Sequence, residues 1–456
     1  MNVYDSEQIL QRLQTIGYRQ CDSPDKADLI VLNTCAIREK AEQKVYSFLG
    51  RQAKRKQHRP ELLVAVGGCV AQQEGRRLLE RIPHLDLVFG THAVGRLAGH
   101  VERIRKNGGR IVDVDMDGGG AIFDGLEPLD APSGPSRFVT IMQGCDNFCT
   151  YCVVPYVRGR EVSRPPSQIL SEIRALAGSG VREVTLLGQN VNSYGAKEGY
   201  GSFADLLKKV SGIDGLARIR FTTSHPKDLS DELIDCFAAL DRLCRHIHLP
   251  VQSGSDRVLK RMNRRYRRAD YLDKVGRLRS VCPDIGITSD FIVGFPGESD
   301  EDFADTIDLM RSVQFDGVFA FQYSDRPSAP ASGFAGKIDD TVKKRRLAEL
   351  LDLQETITLC KNRALVGSVQ QVMAEGPSKK NYFQEAHRTA LWTGRTPQNR
   401  IVHFALDTPT HGGGMMAPGT ILNVRIEEAF SHSLRGTPEI ERPNQHGRKG
   451  VDSHAA

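Results

Sequence analysis

Between residues 137 and 360 six short apolar runs alternate with stretches of helical periodicity, and this alternation limits the fold more than any other feature of the chain. The runs are Phe138–Met142, Val184–Leu187, Ile219–Phe221, His246–Leu249, Ile287–Val293 and Val318–Tyr323. Strands joined through helices need crossover connections, which make the strands parallel and cover the sheet with helices. Six such units fit an incomplete TIM-like (βα)6 barrel, and barrels of this kind carry their chemistry at the strand C-termini.

The flanking segments read differently. Residues 1–115 are α/β: a helix over Ser6–Gly17 and two buried parallel strands, Asp28–Leu32 and Leu62–Val66, each running into a turn that holds a cysteine, Cys35 or Cys69. Residues 116–135 are rich in Asp, Gly and Pro and read as a linker. After the core at 136–360, the β-like segments Ser368–Met373, Arg400–Phe404 and Thr420–Ile426 predict a small β-barrel over 361–436. The polar, aperiodic stretch 437–456 reads as a disordered tail. The predicted class is α/β with a C-terminal β-barrel.

No apolar run reaches the roughly 18 residues of a membrane span. Met1–Ser6 has no signal or transit pattern, which predicts a cytoplasmic protein with no membrane partner. The 62 Lys and Arg against 56 Asp and Glu give a net charge of only +6, so the distribution of charge matters more than its total. Residues 255–280 hold ten Lys/Arg and three acids. The expectation is either solvated helix faces or, over 257–268, contacts to phosphates.

Ten cysteines are too few for a disulfide scaffold in a chain of 456 residues, so a tight cysteine cluster points to metal or catalysis. Cys145, Cys149 and Cys152 lie within eight residues, just after the first barrel strand. A four-iron cluster normally takes four cysteines, and three would leave one iron open to another ligand. Structural zinc, the rival, wants four ligands and finds no nearby fourth.

The Cys145-Asp-Asn-Phe-Cys149-Thr-Tyr-Cys152 motif resembles the radical S-adenosylmethionine (SAM) signature. Further stretches follow in order: Gly188-Gln189-Asn190 after the second strand, His248–Asp256 with Ser253, and Ile292–Glu298 with Gly294. Together with Leu32–Ala41, Val66–Ala71, Cys149–Gly159 and Phe221–Pro226, they narrow the resemblance to the MiaB-type methylthiotransferases over nearly the whole chain. The resemblance implies two [4Fe-4S] clusters, one on Cys145, Cys149 and Cys152 with SAM on its open iron. The other, auxiliary cluster would sit on Cys35 and Cys69, which without the resemblance read as buried structural thiols. It also implies SAM contacts from Tyr151, Gly188, Gln189, Asn190, Ser253 and Gly294. The family's third auxiliary cysteine and first sheet strand fall just ahead of the Met-Asn that opens this sequence. The expectation is therefore an internal methionine mistaken for the start, or an auxiliary site short of one thiolate and a sheet with an unpaired edge. Cys21, Cys236, Cys244, Cys282 and Cys360 match no ligand position.

What the resemblance implies chemically is methylthiolation of C2 of N6-isopentenyladenosine beside a tRNA anticodon. That C–H has no useful acidity, so a radical is required. An external one-electron reductant would drive SAM cleavage, the auxiliary cluster would supply sulfur, and a further SAM would supply the methyl group. No side chain is expected as general acid or base, and His225 and His248 are expected to be structural or substrate-positioning. The 361–436 barrel resembles a TRAM domain, with Tyr382, Phe383 and Trp392 as either stacking or core aromatics. The expected enzyme is a monomer. The competing expectations are a sister methylthiotransferase acting on threonylcarbamoyl-adenosine tRNA or a ribosomal-protein aspartate, and a non-catalytic RNA-binding protein with structural metal.

Overall fold

The structure, a computed structural model, describes residues 1–35, 39–116, 123, 134–378, 391–405 and 416–439. Most of the predicted linker and all of the predicted tail lie outside the described residues, as do Tyr382 and Phe383. The chain divides into two compact units, Met1–Thr358 with Pro397–Asn399, and Leu359–Thr396 with Arg400–Ala456. Among the described residues no helix is long and apolar enough to cross a membrane.

The first unit opens with a parallel sheet of β1 (Leu29–Thr34), β2 (Leu63–Gly68), β3 (Leu87–Phe89) and β4 (Ile111–Asp113), in that order. All six residues of β2 are buried because both faces are covered, which is why the run reads as continuously apolar rather than alternating. Leu63 and Ala65 pack with Ile9 and Leu13 of the helix Asn2–Gln14. Val64 and Val66 pack on the opposite side with Val45 and Leu49 of the helix Glu39–His58. The first helix begins four residues earlier than its periodicity suggested, drawing Tyr4 into the interior, and ends before Gly17, whose φ of +88° belongs to the turn that follows.

All six predicted barrel strands form. They are β5 (Ser136–Thr140), β8 (Glu183–Leu187), β9 (Arg218–Phe221), β10 (His246–His248), β11 (Gly286–Val293) and β12 (Gly317–Gln322). They make two parallel three-stranded sheets, β5-β8-β9 and β10-β11-β12, joined through a single bridge between Ile219 and Leu243. The first predicted run is broken: after β5 the chain starts a separate strand, β6 (Met142–Gln143), which pairs antiparallel with β7 (Val162–Ser163). At the break the Arg164 N–H donates to Ile141 O at 2.8 Å, and the buried Arg164 guanidinium pairs with Glu172.

The second unit is a closed barrel in the order β13 (Val369–Pro377), β14 (Leu391–Arg395), β15 (Ile401–Ala405), β17 (Leu434–Pro438) and β16 (Ile421–Ala429). Its core is Val372, Ala374, Val402, Phe404, Val424, Ile426 and Leu434, with Trp392 packed against it. Strands β14 and β17 escaped the sequence reading because each contains a glycine that resembles a turn. In the barrel those glycines permit close approach: a Cβ at Gly394 would lie 2.4 Å from Met373 O, and one at Gly436 2.2 Å from Arg425 O.

Thr34, at the end of β1, accounts for the geometry that follows it. Its buried hydroxyl donates to Gly67 O at 2.6 Å and accepts from Val70 N at 3.1 Å, tying β1 to the turn that begins the helix Cys69–Glu74. Thr34→Val leaves both groups unpaired, and an unmade buried hydrogen bond costs about 1–3 kcal/mol. Calorimetry should show a lowered melting transition; an unchanged one would dismiss this tie.

Candidate functional site

The cysteine loop starts at Gly144, where φ is +81° and a Cβ would lie 2.0 Å from Arg160 O, so only glycine turns the chain there. Beyond it Phe148 takes φ +48°, and Cys152 N closes a turn on Cys149 O at 3.0 Å. A second loop, between the helices Asp256–Arg261 and Arg268–Val281, grips this one. Asn263 Nδ2 donates to Asn147 O at 3.3 Å and Phe148 O at 3.0 Å. Thr150 donates its N–H to Met262 O and its hydroxyl to Arg261 O, both at 3.0 Å. Arg264 Nη1 reaches Cys149 Sγ and Tyr151 Oη, each at 3.5 Å.

The loop that carries the three thiols is therefore held by contacts outside its own segment. Burial is the main influence on Cys145 and Cys152 and, together with the neighbouring cysteines, raises their pKa values to about 11 and about 12. Among the described residues no three His, Cys, Asp or Glu side chains converge as the ligands of one ion would. The ligands of a cubane instead hold separate corners of it.

The loops after β8 and β9 line the same strand ends. Gly188 lies against Met142, and Gln189 Oε1 accepts the Gly144 N–H, so the second-strand motif abuts the start of the cysteine loop. Asn190 Nδ2 donates to Asp228 at 2.7 Å and to Ser193 Oγ at 3.0 Å. Near it lies Glu161, which burial first, then the acids Asp146, Asp228 and Glu198, push up to about 7. Gln189 Nε2, Asn190 Oδ1, Asn192 Oδ1, Ser224 Oγ and His225 Nε2 are buried without a protein partner. Unpartnered polar groups at strand C-termini are what a polar ligand needs, and the acidic side suits the ammonium and sulfonium of SAM. The residues present fit an iron–sulfur cluster with SAM beside it.

Tyr151 packs beside Phe295, Tyr323 and Met262. Ser253 and Gly294, by contrast, are engaged in the barrel wall. The fully buried Ser253 hydroxyl meets Thr306 Oγ1 at 3.4 Å and accepts from Ser255 N at 3.2 Å. Gly294 N donates to Glu298 at 2.7 Å, and Glu298 pairs with Arg346.

Cys35 and Cys69 are brought together by register. Thr34 pairs with Gly68 in the parallel ladder, so the next residue of each strand leaves the sheet side by side. Near Cys69 lies the buried Arg158, which pairs with Asp5 at 2.6 Å and whose charge acts on the Cys69 thiol. Burial raises the Cys69 thiol while Arg158 opposes the rise. The Met1 amino group shares this corner and feels Asp5, Arg158, Cys35 and Cys69. The described residues supply two thiols here, short of the three or four an ordinary cluster takes.

Arg158, Asn263 and Arg264 were missed from sequence. Arg158 stands six positions after Cys152, and Asn263 is an asparagine between two helical patterns, a residue type that takes a left-handed turn more readily than most others bearing a side chain. The basic run is also less available than its composition suggested: Arg257 pairs with Asp302, Arg268 with Asp308, Arg277 with Asp231, and Arg264 is buried.

His225 Nδ1 accepts the Lys227 N–H, which leaves the proton on the unpartnered Nε2. Burial, with Arg264 and Lys227 nearby, pulls its pKa down to about 2. The unfolded chain binds this proton below about pH 6.5, so the group's stabilisation is complete above that pH and falls as acid is added. From pH 7 to 5 the loss is about 2 kcal/mol. His225→Gln should flatten this part of the pH–stability curve; a curve parallel to wild type would contradict the assignment.

Two family models match the chain: "Radical SAM superfamily" over residues 139–310 and "Uncharacterized protein family UPF0004" over 1–90. The tRNA-2-methylthio-N(6)-dimethylallyladenosine synthase of Desulfosudis oleivorans is 54% identical, covering 100% of this chain and 97% of that protein. The protein of the same name from Geotalea uraniireducens is 51% identical over 96% of each. Among solved structures, the radical S-adenosylmethionine methyltransferase TsrM from Kitasatospora setae aligns with a TM-score of 0.56 at 16% identity, over 73% of this chain and 74% of that one, a likeness of fold alone. With this identity over nearly its whole length, the chain belongs to the tRNA-2-methylthio-N(6)-dimethylallyladenosine synthases, the MiaB-type radical SAM methylthiotransferases, a family of [4Fe-4S]- and SAM-dependent enzymes.

Proposed function

We propose that this chain methylthiolates C2 of N6-isopentenyl(dimethylallyl)adenosine next to the anticodon of tRNA, with Cys145, Cys149 and Cys152 holding the SAM-binding [4Fe-4S] cluster and Cys35 and Cys69 the auxiliary one. The observation that carries the reading is the gripped cysteine loop, set at the strand ends among unpartnered polar groups. The relatives' shared name supports the substrate. Bound there, a reduced cluster with SAM supplies the one-electron chemistry that an inert adenine C–H requires.

The protein's part is to bind, orient and keep water out. Gly144 and Phe148 turn the backbone so that its thiols share one space, and Asn263 and Thr150 hold that turn. Gln189 and Asn190 offer a free donor and a free acceptor to SAM, with Gly188 letting Met142 pack beneath that turn and Tyr151 flanking the cysteines. His225, with its proton on Nε2, offers a neutral donor. Ser253 and Gly294 act by shaping the wall around SAM.

The same reading divides the chain into a methylthiotransferase domain (1–115), a linker (116–135), a radical SAM core (136–360), a TRAM domain for RNA (361–436) and a tail (437–456). It makes the protein a cytoplasmic monomer served by an external one-electron reductant. Its net charge of +6 is compatible with a tRNA partner.

Anaerobic reconstitution followed by mass spectrometry of the tRNA tests the assignment. Cys145→Ala should lose iron and cleave SAM no faster than background, whereas Cys69→Ala should keep SAM cleavage and lose only the methylthio product. SAM cleavage at wild-type rate by Cys145→Ala would sink the cluster assignment, and methylthiolation by Cys69→Ala would sink the sulfur-donor role.

A further inference from the structure

Arg264 is 3% exposed. Its Nε donates to Tyr266 Oη at 3.1 Å, Nη1 reaches Cys149 Sγ and Tyr151 Oη at 3.5 Å, and Nη2 donates to Pro250 O. Among the described residues no carboxylate meets it. Four other buried arginines of the same unit have one: Arg164 has Glu172, Arg220 has Glu183, Arg346 has Glu298 and Arg158 has Asp5. A guanidinium stays charged in any protein setting, and a buried charge without an opposite one is strongly unfavourable. The backbone aims it deliberately. Asn263 and Arg265, on either side, take φ of +57° and +59°, a strained conformation for side-chain-bearing residues.

The missing negative charge is the one the neighbouring thiols would bring. Three thiolates around a cubane of smaller positive charge form an anionic assembly, and each electron added makes it more so. We propose that Arg264 is a positioning residue for that cluster: it serves as buried counter-ion, and its N–H on the Cys149 sulfur raises the potential at which the cluster accepts an electron. The inference rests on Cys145, Cys149 and Cys152 being the ligands. Net charge and hydrogen bonds to sulfur are among the factors that set such potentials, and a fixed cation favours the reduced form more than the oxidised one.

The test uses the full chain with Cys35→Ala and Cys69→Ala, so that one cluster is read. It is reconstituted anaerobically and titrated with dithionite under EPR, without SAM, so that only the thiolate contact contributes. Arg264→Met should lower the midpoint by about 59 mV or more, a tenfold change in a one-electron equilibrium. Arg264→Lys, which keeps a charge, should fall between Arg264→Met and wild type. Iron uptake by Arg264→Lys but not by a folded Arg264→Met also supports the counter-ion. A wild-type midpoint in Arg264→Met overturns the proposal, as does unfolding of both variants, which would mark the guanidinium as a structural strut. If the arginine-containing parent takes up no cluster, the ligand assignment fails instead.

Discussion

Two loops that hold each other underlie everything else in this protein. Thiolates repel one another, so a segment carrying three of them will not keep them together unaided. Here the grip comes from the loop at 261–266, through two asparagine N–H bonds, two bonds from Thr150 and the arginine on Cys149. Of the seven described non-glycine residues with positive φ, five lie in these loops or at barrel strand ends: Phe148, Thr223, Gln252, Asn263 and Arg265. Backbone strain gathered in one place is what a pre-organised site looks like. The surrounding barrel, with its continuous apolar core, is the rigid body that bears the strain.

The auxiliary corner is coupled to the same loop by packing. Cys69 and Val70 share an apolar cluster with Val153 and Val157, which follow the third cysteine of the motif. Thr91 donates its hydroxyl to Val157 O at 2.7 Å, and His92 meets Arg158 O at 3.0 Å. The segment after the cysteine loop is thus anchored on the N-terminal sheet.

Much of this was legible in the sequence, because strands buried on both faces write themselves as uninterrupted apolar runs and a cysteine motif needs no partner to be seen. The register of β1 against β2 then carried Cys35 and Cys69 together, as their matched turns implied. What stayed hidden depends on residues distant in sequence. Arg257 finds Asp302 and Arg268 finds Asp308, pairings some forty residues apart that neutralise part of the basic run. Gly394 and Gly436 looked like turns because nothing local reveals that another strand passes against them. Ser253 and Gly294 sit in the expected motifs, yet their polar groups are taken by Thr306 and Glu298, partners that only the folded barrel supplies.

The way the two loops are joined also decides what may vary in them. Thr150 is held by the main-chain carbonyls of Arg261 and Met262, and Asn263 holds the carbonyls of Asn147 and Phe148. The side chains at 147, 148, 261 and 262 are therefore not what makes these bonds. Exchange is confined at Asn263 and Thr150, whose own side chains reach across.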